Sequence, residues 1–241
     1  MSLALHTIQP IALCHSPYKQ KFSIPRQAQL APSAQAQIEL LRPYNDPAYI
    51  EGIEQFSHLW LTFIFHENLA QGYKPSVRPP RLGGAQKMGV FATRSTFRPN
   101  GLGQSVVKLE SVVHHQDACM LHVSGLDLLD KTPIVDIKPY LPYADSLPEA
   151  QAGIAQEAPK CIEVAFTEQA EFVLIQLEPL KNKKIKQWIT EVLSQDPRPA
   201  HRKHKIDHKI YFSYLDRFNI HWQAQEKVIQ VLHIEIKSNE L

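Results

Sequence analysis

Two arginines, Arg94 and Arg98, stand in the segment GVFATRSTFRPNGLGQS (residues 89–105), with Pro99, Asn100, Gly101 and Gly103 close behind them. A guanidinium is a planar fork that can bind a carboxylate or a phosphate through two parallel hydrogen bonds. Glycine permits positive φ and a close approach of backbone to a ligand. The segment reads as a strand, GVFAT, that runs into a loop suited to an anionic ligand. A plain connection with solvated arginines is the competing reading.

A second concentration of charge lies further along. Lys181, Lys183, Lys184, Lys186, Arg198, Arg202, Lys203, Lys205 and Lys209 face only Glu191, Asp196 and Asp207 over that stretch, although the whole chain carries a formal charge of just +2. Clustered cations give a local field for phosphates, or else a solvated face. Tyr211, Phe212 and Tyr214 beside them can stack unpaired bases, but strand alternation puts part of that set in a core. His201, His204 and His208 have the spacing of one helical face. The interleaved Arg202, Lys203 and Lys205 oppose a cation there, and Cys14, Cys119 and Cys161 are too scattered to complete a metal site, so no metal is expected.

The elements that must hold these groups follow from pattern. Apolar residues make up 44% of the 241 and charged ones 21%, ordinary for a folded protein. SHLWLTFIFHEN, KMGVFAT, GQSVVKLESVVHHQ and ACMLHVSGL read as successive strands with no amphipathic helix between them. That favours an antiparallel barrel over alternating strands and helices. A polar, Pro-containing stretch at residues 147–160 reads as a linker. Beyond it, a helical run broken at Pro179 and three strands make a small α+β unit. The expected fold is mainly β, with a barrel over residues 1–150 and an α+β unit over 151–241. No window nears the ~18 apolar residues of a membrane span, the N-terminus lacks a positive leader, and the cysteines suit a reducing compartment. A cytoplasmic protein with no membrane partner is expected. The absence of GxGxxG after a strand argues against a Rossmann nucleotide site.

The segment at residues 89–105, together with DLLDKTPIVDIKPY (127–140) and SQDPRPAHRK (194–203), resembles the TrmO/YaeB branch of the TsaA-like family, and the likeness spans both expected units. The resemblance implies a β-barrel that binds S-adenosylmethionine, acts as a homodimer, and methylates N6 of threonylcarbamoyl-adenosine beside the tRNA anticodon. It departs at two places: Gly101 stands where the family commonly has Pro, and Lys131 where it has Gly. The resemblance implies donor contacts from Pro25, Arg26 and Gln27, from His66 and Glu67, from Arg94, and from Asp130, Lys131, Thr132 and Pro133. Arg26 or Arg94 suits the donor's carboxylate, Glu67 or Asp130 its amine or ribose, and backbone groups near Thr132 and Pro133 its adenine edge.

The target nitrogen is conjugated to a carbonyl, so a general base is expected. Asp136, between Val135 and Ile137, is the candidate, because a carboxylate among apolar neighbours takes up a proton more readily. Pairing of Asp136 with Lys138 or an arginine is the structural alternative, and Asn100 is a candidate for orienting the acceptor. Lys183, Lys184, Lys186, Arg198, Arg202 and Lys203 are the expected contacts to the tRNA anticodon loop. The rival functions are a non-catalytic RNA-binding barrel and a methyltransferase of a small-molecule acceptor. Loss of the chain beyond residue 147 is expected to remove tRNA methylation while sparing donor binding.

Overall fold

Leu59, Leu61 and Phe63 are buried while His58, Trp60, Thr62 and Ile64 between them keep some contact with solvent, the period of a strand with one face on a core. The structure, a computed structural model, describes residues 6–115, 118–199, 202–203, 207–225 and 227–237. The first unit comprises β1 (Ala12–His15), β2 (Gln35–Leu40), β3 (His58–Ile64), the short β4 (Ser76–Val77) and β5 (Met88–Gly89), β6 (Leu102–His115), β7 (Ala118–Ser124), β8 (Thr132–Pro139) and α1 (Pro142–Asp145). The second comprises β9 (Glu163–Phe166), α2 (Glu168–Ile175), α3 (Pro179–Leu193), β10 (Asp207–Leu215), β11 (Phe218–Ala224) and β12 (Val228–Ile236).

Six strands close into a barrel in the order β1-β2-β7-β6-β3-β8, every neighbour antiparallel. Closure leaves no strand edge unpaired. Cys14, Ile38, Leu59, Leu61, Val107, Leu121 and Ile134 fill the interior and are almost wholly sealed from solvent. A barrel packed in this way holds no ligand in its lumen, so a site must lie at an end. The register fixes which end. Ile64 pairs with Leu102, Ser124 with Gln35, and Cys14 with Thr132, so β1, β3 and β7 finish at the rim where β2, β6 and β8 begin. The β1–β2, β3–β6 and β7–β8 connections all leave from that rim.

The expected strand GVFAT is mostly a turn. Only Met88–Gly89 pairs, with β4, and Val90–Ala92 winds into a single 3₁₀ turn. The cause is Arg98, whose guanidinium donates to the carbonyls of Thr93 (2.8 Å) and Val90 (3.3 Å) and ties the segment back on itself. Gly103 also serves packing, not a ligand. It sits in β6 opposite Phe63, and a Cβ there would lie 2.6 Å from the Phe63 ring and 2.7 Å from that of Phe65. At Lys131 the backbone takes φ of 61°, a left-handed conformation that favours the glycine the family commonly places there.

In the second unit the sheet order is β10-β11-β12-β9, with β9 parallel to β12, and α2 packs on β12 and against α3. Pro179 opens α3 at a position where its missing N–H costs nothing. The β1–β2 connection is clamped onto this unit. Tyr18 is fully buried with Trp188 edge-on to it, Ser33 gives its N–H (2.9 Å) and hydroxyl (2.8 Å) to Glu191, and Gln195 donates to the Leu30 carbonyl (2.9 Å). Asp216 N–H reaches the Pro17 carbonyl at 2.7 Å. A truncation after the barrel therefore unfastens the very connection that carries Pro25, Arg26 and Gln27, so the expectation that donor binding would survive it does not hold physically.

Candidate functional site

Cross-links between the three rim connections build the site. Gln29, on the first, donates its backbone N–H to the Gly125 carbonyl (2.7 Å) on the third and its side-chain amide to the Val106 carbonyl (3.1 Å). Lys21, also on the first, donates to the Glu67 carbonyl (3.0 Å) on the second. Arg94, on the second, donates to the side-chain oxygen of Gln27 on the first. Its guanidinium remains exposed, with donors to spare for an anionic ligand.

Asp127 lies beside this pair and was not singled out from the sequence. Ser105 Oγ donates to its Oδ1 at 2.6 Å. Burial pushes its carboxyl above the usual range, against the opposing pull of Ser105, of backbone N–H groups including that of Ala28, and of the Arg94 charge. Arg94, Gln27, Asp127 and Ser105 thus form one polar cluster drawn from all three connections and the start of β6. The only signal in the sequence was that Asp127 opens the DLLDKTP motif.

The remaining expected donor residues divide. Glu67 and His66 lie on the second connection in the 3₁₀ turn His66–Gln71, with Glu67 exposed 3.8 Å from Lys21. Asp130 is committed to structure: it accepts from the Ser16 N–H (2.9 Å) and pairs with Lys19 (2.8 Å). Lys131 turns to His15 (2.9 Å). Thr132 spends its N–H and hydroxyl on the Leu129 carbonyl, and Pro133 has no N–H, so reading of an adenine edge by the backbone of these two residues falls to carbonyl oxygens. Pro25 is buried, and Arg26 faces a cavity shared with the second unit.

Asp136 departs from expectation. It is exposed on the outer side of β8, opposite Thr62, because a register shift between Thr62 and Phe63 turns the strand out of its inward phase. Its apolar neighbours in sequence do not enclose it. Asn100 is exposed in the turn closed by the Gly101 N–H to the Arg98 carbonyl. Gly101 holds φ of 60°, a value closed to proline.

Of the expected RNA contacts, Lys183 and Lys184 are exposed on α3. Lys186 pairs with Glu171, and Arg202 with Asp207 at 3.0 Å. Arg198 is corrected from a surface contact to a structural group: it is 2% exposed and forks onto both oxygens of Asp196 at 2.8 Å. Of the aromatic trio, Tyr211 is buried against Trp222 and Phe22, whereas Phe212 is exposed. His201, His204 and Lys205 lie outside the described residues. Among the described residues no group of three potential metal ligands occurs, and no helix is long and apolar enough to cross a membrane.

If Arg94 holds an anionic ligand, Arg94→Ala weakens binding of S-adenosylmethionine about 10- to 100-fold, the effect of losing charge-assisted hydrogen bonds worth roughly 1.5–3 kcal/mol. Arg94→Lys restores only part of it, since a point charge lacks the fork. Titration calorimetry reads both.

Comparison with known proteins places the whole chain in one context. The family model for the tRNA-methyltransferase O N-terminal domain matches residues 13–146, and that for the TrmO C-terminal domain matches residues 159–237. A tRNA (adenine(37)-N6)-methyltransferase of Escherichia coli is 48% identical over 94% of this chain and 97% of its own. A Pseudomonas aeruginosa protein, provisionally named as an S-adenosylmethionine-dependent methyltransferase, is 44% identical over 95% and 97%. The crystal structure of TrmO from Pseudomonas aeruginosa superposes with a TM-score of 0.79 at 38% identity, covering 97% of this chain and all of that one.

Proposed function

Because this chain belongs to the TrmO family along both its units, we infer that the rim cluster of Gln27, Arg94 and Asp127 is its methyl-donor site. The chain is an S-adenosylmethionine-dependent tRNA (adenine-N6)-methyltransferase, and the full-length likeness to the Escherichia coli enzyme carries that reading. The acceptor proposed is threonylcarbamoyl-adenosine next to the anticodon. A homodimer in the cytoplasm is the proposed state; Leu69, Tyr73 and Phe91 on the second connection are exposed large hydrophobic residues of the kind that a second copy covers.

The residues fit the donor chemically. Arg94 offers a fork for a carboxylate, and Glu67 offers an acceptor for an ammonium or ribose hydroxyls. When bound, S-adenosylmethionine supplies an electrophilic methyl group on its sulfonium. The chain's task is then to position the adenine nitrogen and take its proton, and positioning supplies a large part of such a rate. In threonylcarbamoyl-adenosine the N6 lone pair is delocalised into the neighbouring carbonyl, which weakens it as a nucleophile until the proton leaves. Asp127 replaces Asp136 as the candidate base, because it sits at the rim and its carboxyl is held above the usual range by burial. Asn100, exposed on the second connection, remains the candidate for orienting the acceptor base.

The reading is tested by transfer of labelled methyl to bulk tRNA prepared with and without the threonylcarbamoyl group, followed by nucleoside mass determination. Label confined to the modified nucleoside is expected. Equal label on plain adenosine overturns the acceptor assignment. tRNA binding without label indicates the non-catalytic alternative, and label on small metabolites alone indicates the other.

A further inference from the structure

The β3–β6 connection carries Lys74, Arg78, Arg81, Lys87, Arg94 and Arg98 against a single carboxylate, Glu67. That excess is larger than the +2 of the whole chain, so the rest of the protein is net acidic. The middle of the connection is the β4–β5 ribbon, whose tip, residues 78–87, holds Arg78, Arg81 and Lys87 and no acid. We propose that this tip is a binding surface for backbone phosphates of the tRNA, laid beside the donor cluster. The proposal deepens the function inferred above and rests on it.

Free charge is the first observation. Arg78, Arg81 and Lys87 are all exposed, and none forms an ion pair among the described residues. The basic run of the second unit is different. There Lys181 pairs with Glu178 at 3.0 Å, Lys186 with Glu171, Arg202 with Asp207 and Arg198 with Asp196. A paired cation must give up its carboxylate before it serves a phosphate, whereas a free one neutralises a phosphate at no such cost.

The shape of the ribbon is an independent observation. Ser76 pairs with Gly89 and Val77 with Met88, so the next step of that register sets Arg78 across from Lys87. Like charges facing each other across a ribbon repel. A phosphate between them turns that repulsion into two attractions. The ribbon is also polarised, with exposed Tyr73 and Phe91 flanking its base and the cations at its tip. An apolar end suits a second copy and a basic end a polyanion, so the two surfaces do not compete.

Placement supplies the link to the reaction. Val90 N–H reaches the Pro75 carbonyl (3.0 Å) and Lys74 N–H the Phe97 carbonyl (3.1 Å), which ties the base of the ribbon to the loop that carries Arg94. At the tip, Pro80 shares a cavity wall with Pro25 and Arg26 of the first connection, and Arg81 donates to the Ile154 carbonyl at 3.4 Å. The ribbon therefore flanks the donor site from one connection to the other. An adenine delivered to that site trails its own backbone, and the phosphates on one side of it pass over the tip. Three cations spread over ten residues match a repeating polyanion better than one small anion.

The test uses the full chain with bulk tRNA and, separately, S-adenosylmethionine. Arg78 and Lys87 make no hydrogen bond among the described residues, so glutamine at both should leave the thermal midpoint equal to or above that of wild type. The Arg78→Gln, Lys87→Gln double variant is expected to raise the tRNA Kd about tenfold and to flatten the dependence of log K on log salt by about 1.4 to 1.8, the loss of two phosphate contacts. Its KM for tRNA should rise with kcat retained, and its donor Kd should match wild type. Arg78→Lys combined with Lys87→Arg, which keeps both charges, should retain the wild-type slope. An unchanged tRNA Kd and slope in the double variant overturns the proposal, as does a donor Kd raised as much as the tRNA Kd. An altered oligomeric state in that variant makes the tip a contact between copies, and overturns it too. Wild-type protein that transfers no methyl to tRNA contradicts the function, and the surface with it; wild-type transfer alongside an unimpaired double variant contradicts the surface alone.

Discussion

Asp127→Asn is expected to lower the rate of methyl transfer by about 10²- to 10⁴-fold, the range for removal of a general base, while the protein stays folded. The sign of the stability effect separates this from simple damage. Burial holds the Asp127 carboxyl above its unfolded value, so the fold favours the protonated form. That contribution is fully present below the unfolded carboxylate value and is lost as pH rises through the raised one. At neutral pH the charged carboxylate therefore costs stability, and an amide of the same shape removes the cost. The Asn oxygen can still accept the Ala28 N–H, and Ser105 can turn its hydroxyl to suit. The thermal midpoint of Asp127→Asn at pH 8 should equal or exceed that of wild type while turnover collapses. Wild-type turnover should climb with pH through the raised value and then level. Loss of both midpoint and turnover contradicts the assignment.

Asp196→Ala should destabilise the protein by about 3–5 kcal/mol, the usual effect of leaving one member of a buried ion pair behind. Burial alone pushes the Asp196 carboxyl up, but the hydrogen bonds and charge of Arg198 hold it below the ordinary range. Its contribution is present above the unfolded carboxylate value and is lost as pH falls through the depressed one. Denaturant unfolding should show wild-type stability falling on acidification, and the variant should lack that component. Donor binding should weaken too, because Asp196 follows α3, whose Trp188 and Glu191 grip the β1–β2 connection. A variant as stable as wild type contradicts the structural role given to Arg198.

Much of the fold was legible because alternation is a local signal. β3 reads directly from HLWLTFI, and the absence of helices between strands led to the barrel. What escaped was set by tertiary contact. GVFAT has strand composition, yet Arg98 caps its carbonyls and bends it into a turn. Residues 18–33 carry no periodicity, since their order comes from Trp188, Glu191 and Gln195 more than 150 positions away. β9 has only four residues and is held by its parallel pairing to β12.

The site divides along the same line. Arg94 was legible from residue type and the loop around it. Asp136 looked enclosed by Val135 and Ile137, but a register shift that no local pattern reveals puts it outside. Asp127 owes its character to Ser105 and Arg94, which the sequence keeps apart. The packing role of Gly103 has no local signal, because the ring of Phe63 that needs its space lies across the sheet.

The central claim is that three connections at one rim form the donor site, and a crystal structure with the reaction product S-adenosylhomocysteine tests it most directly. The account predicts the product bounded by Gln27, Arg94 and Asp127, with its carboxylate on the Arg94 guanidinium. Product bound at the opposite rim, among residues 41–57, would contradict it.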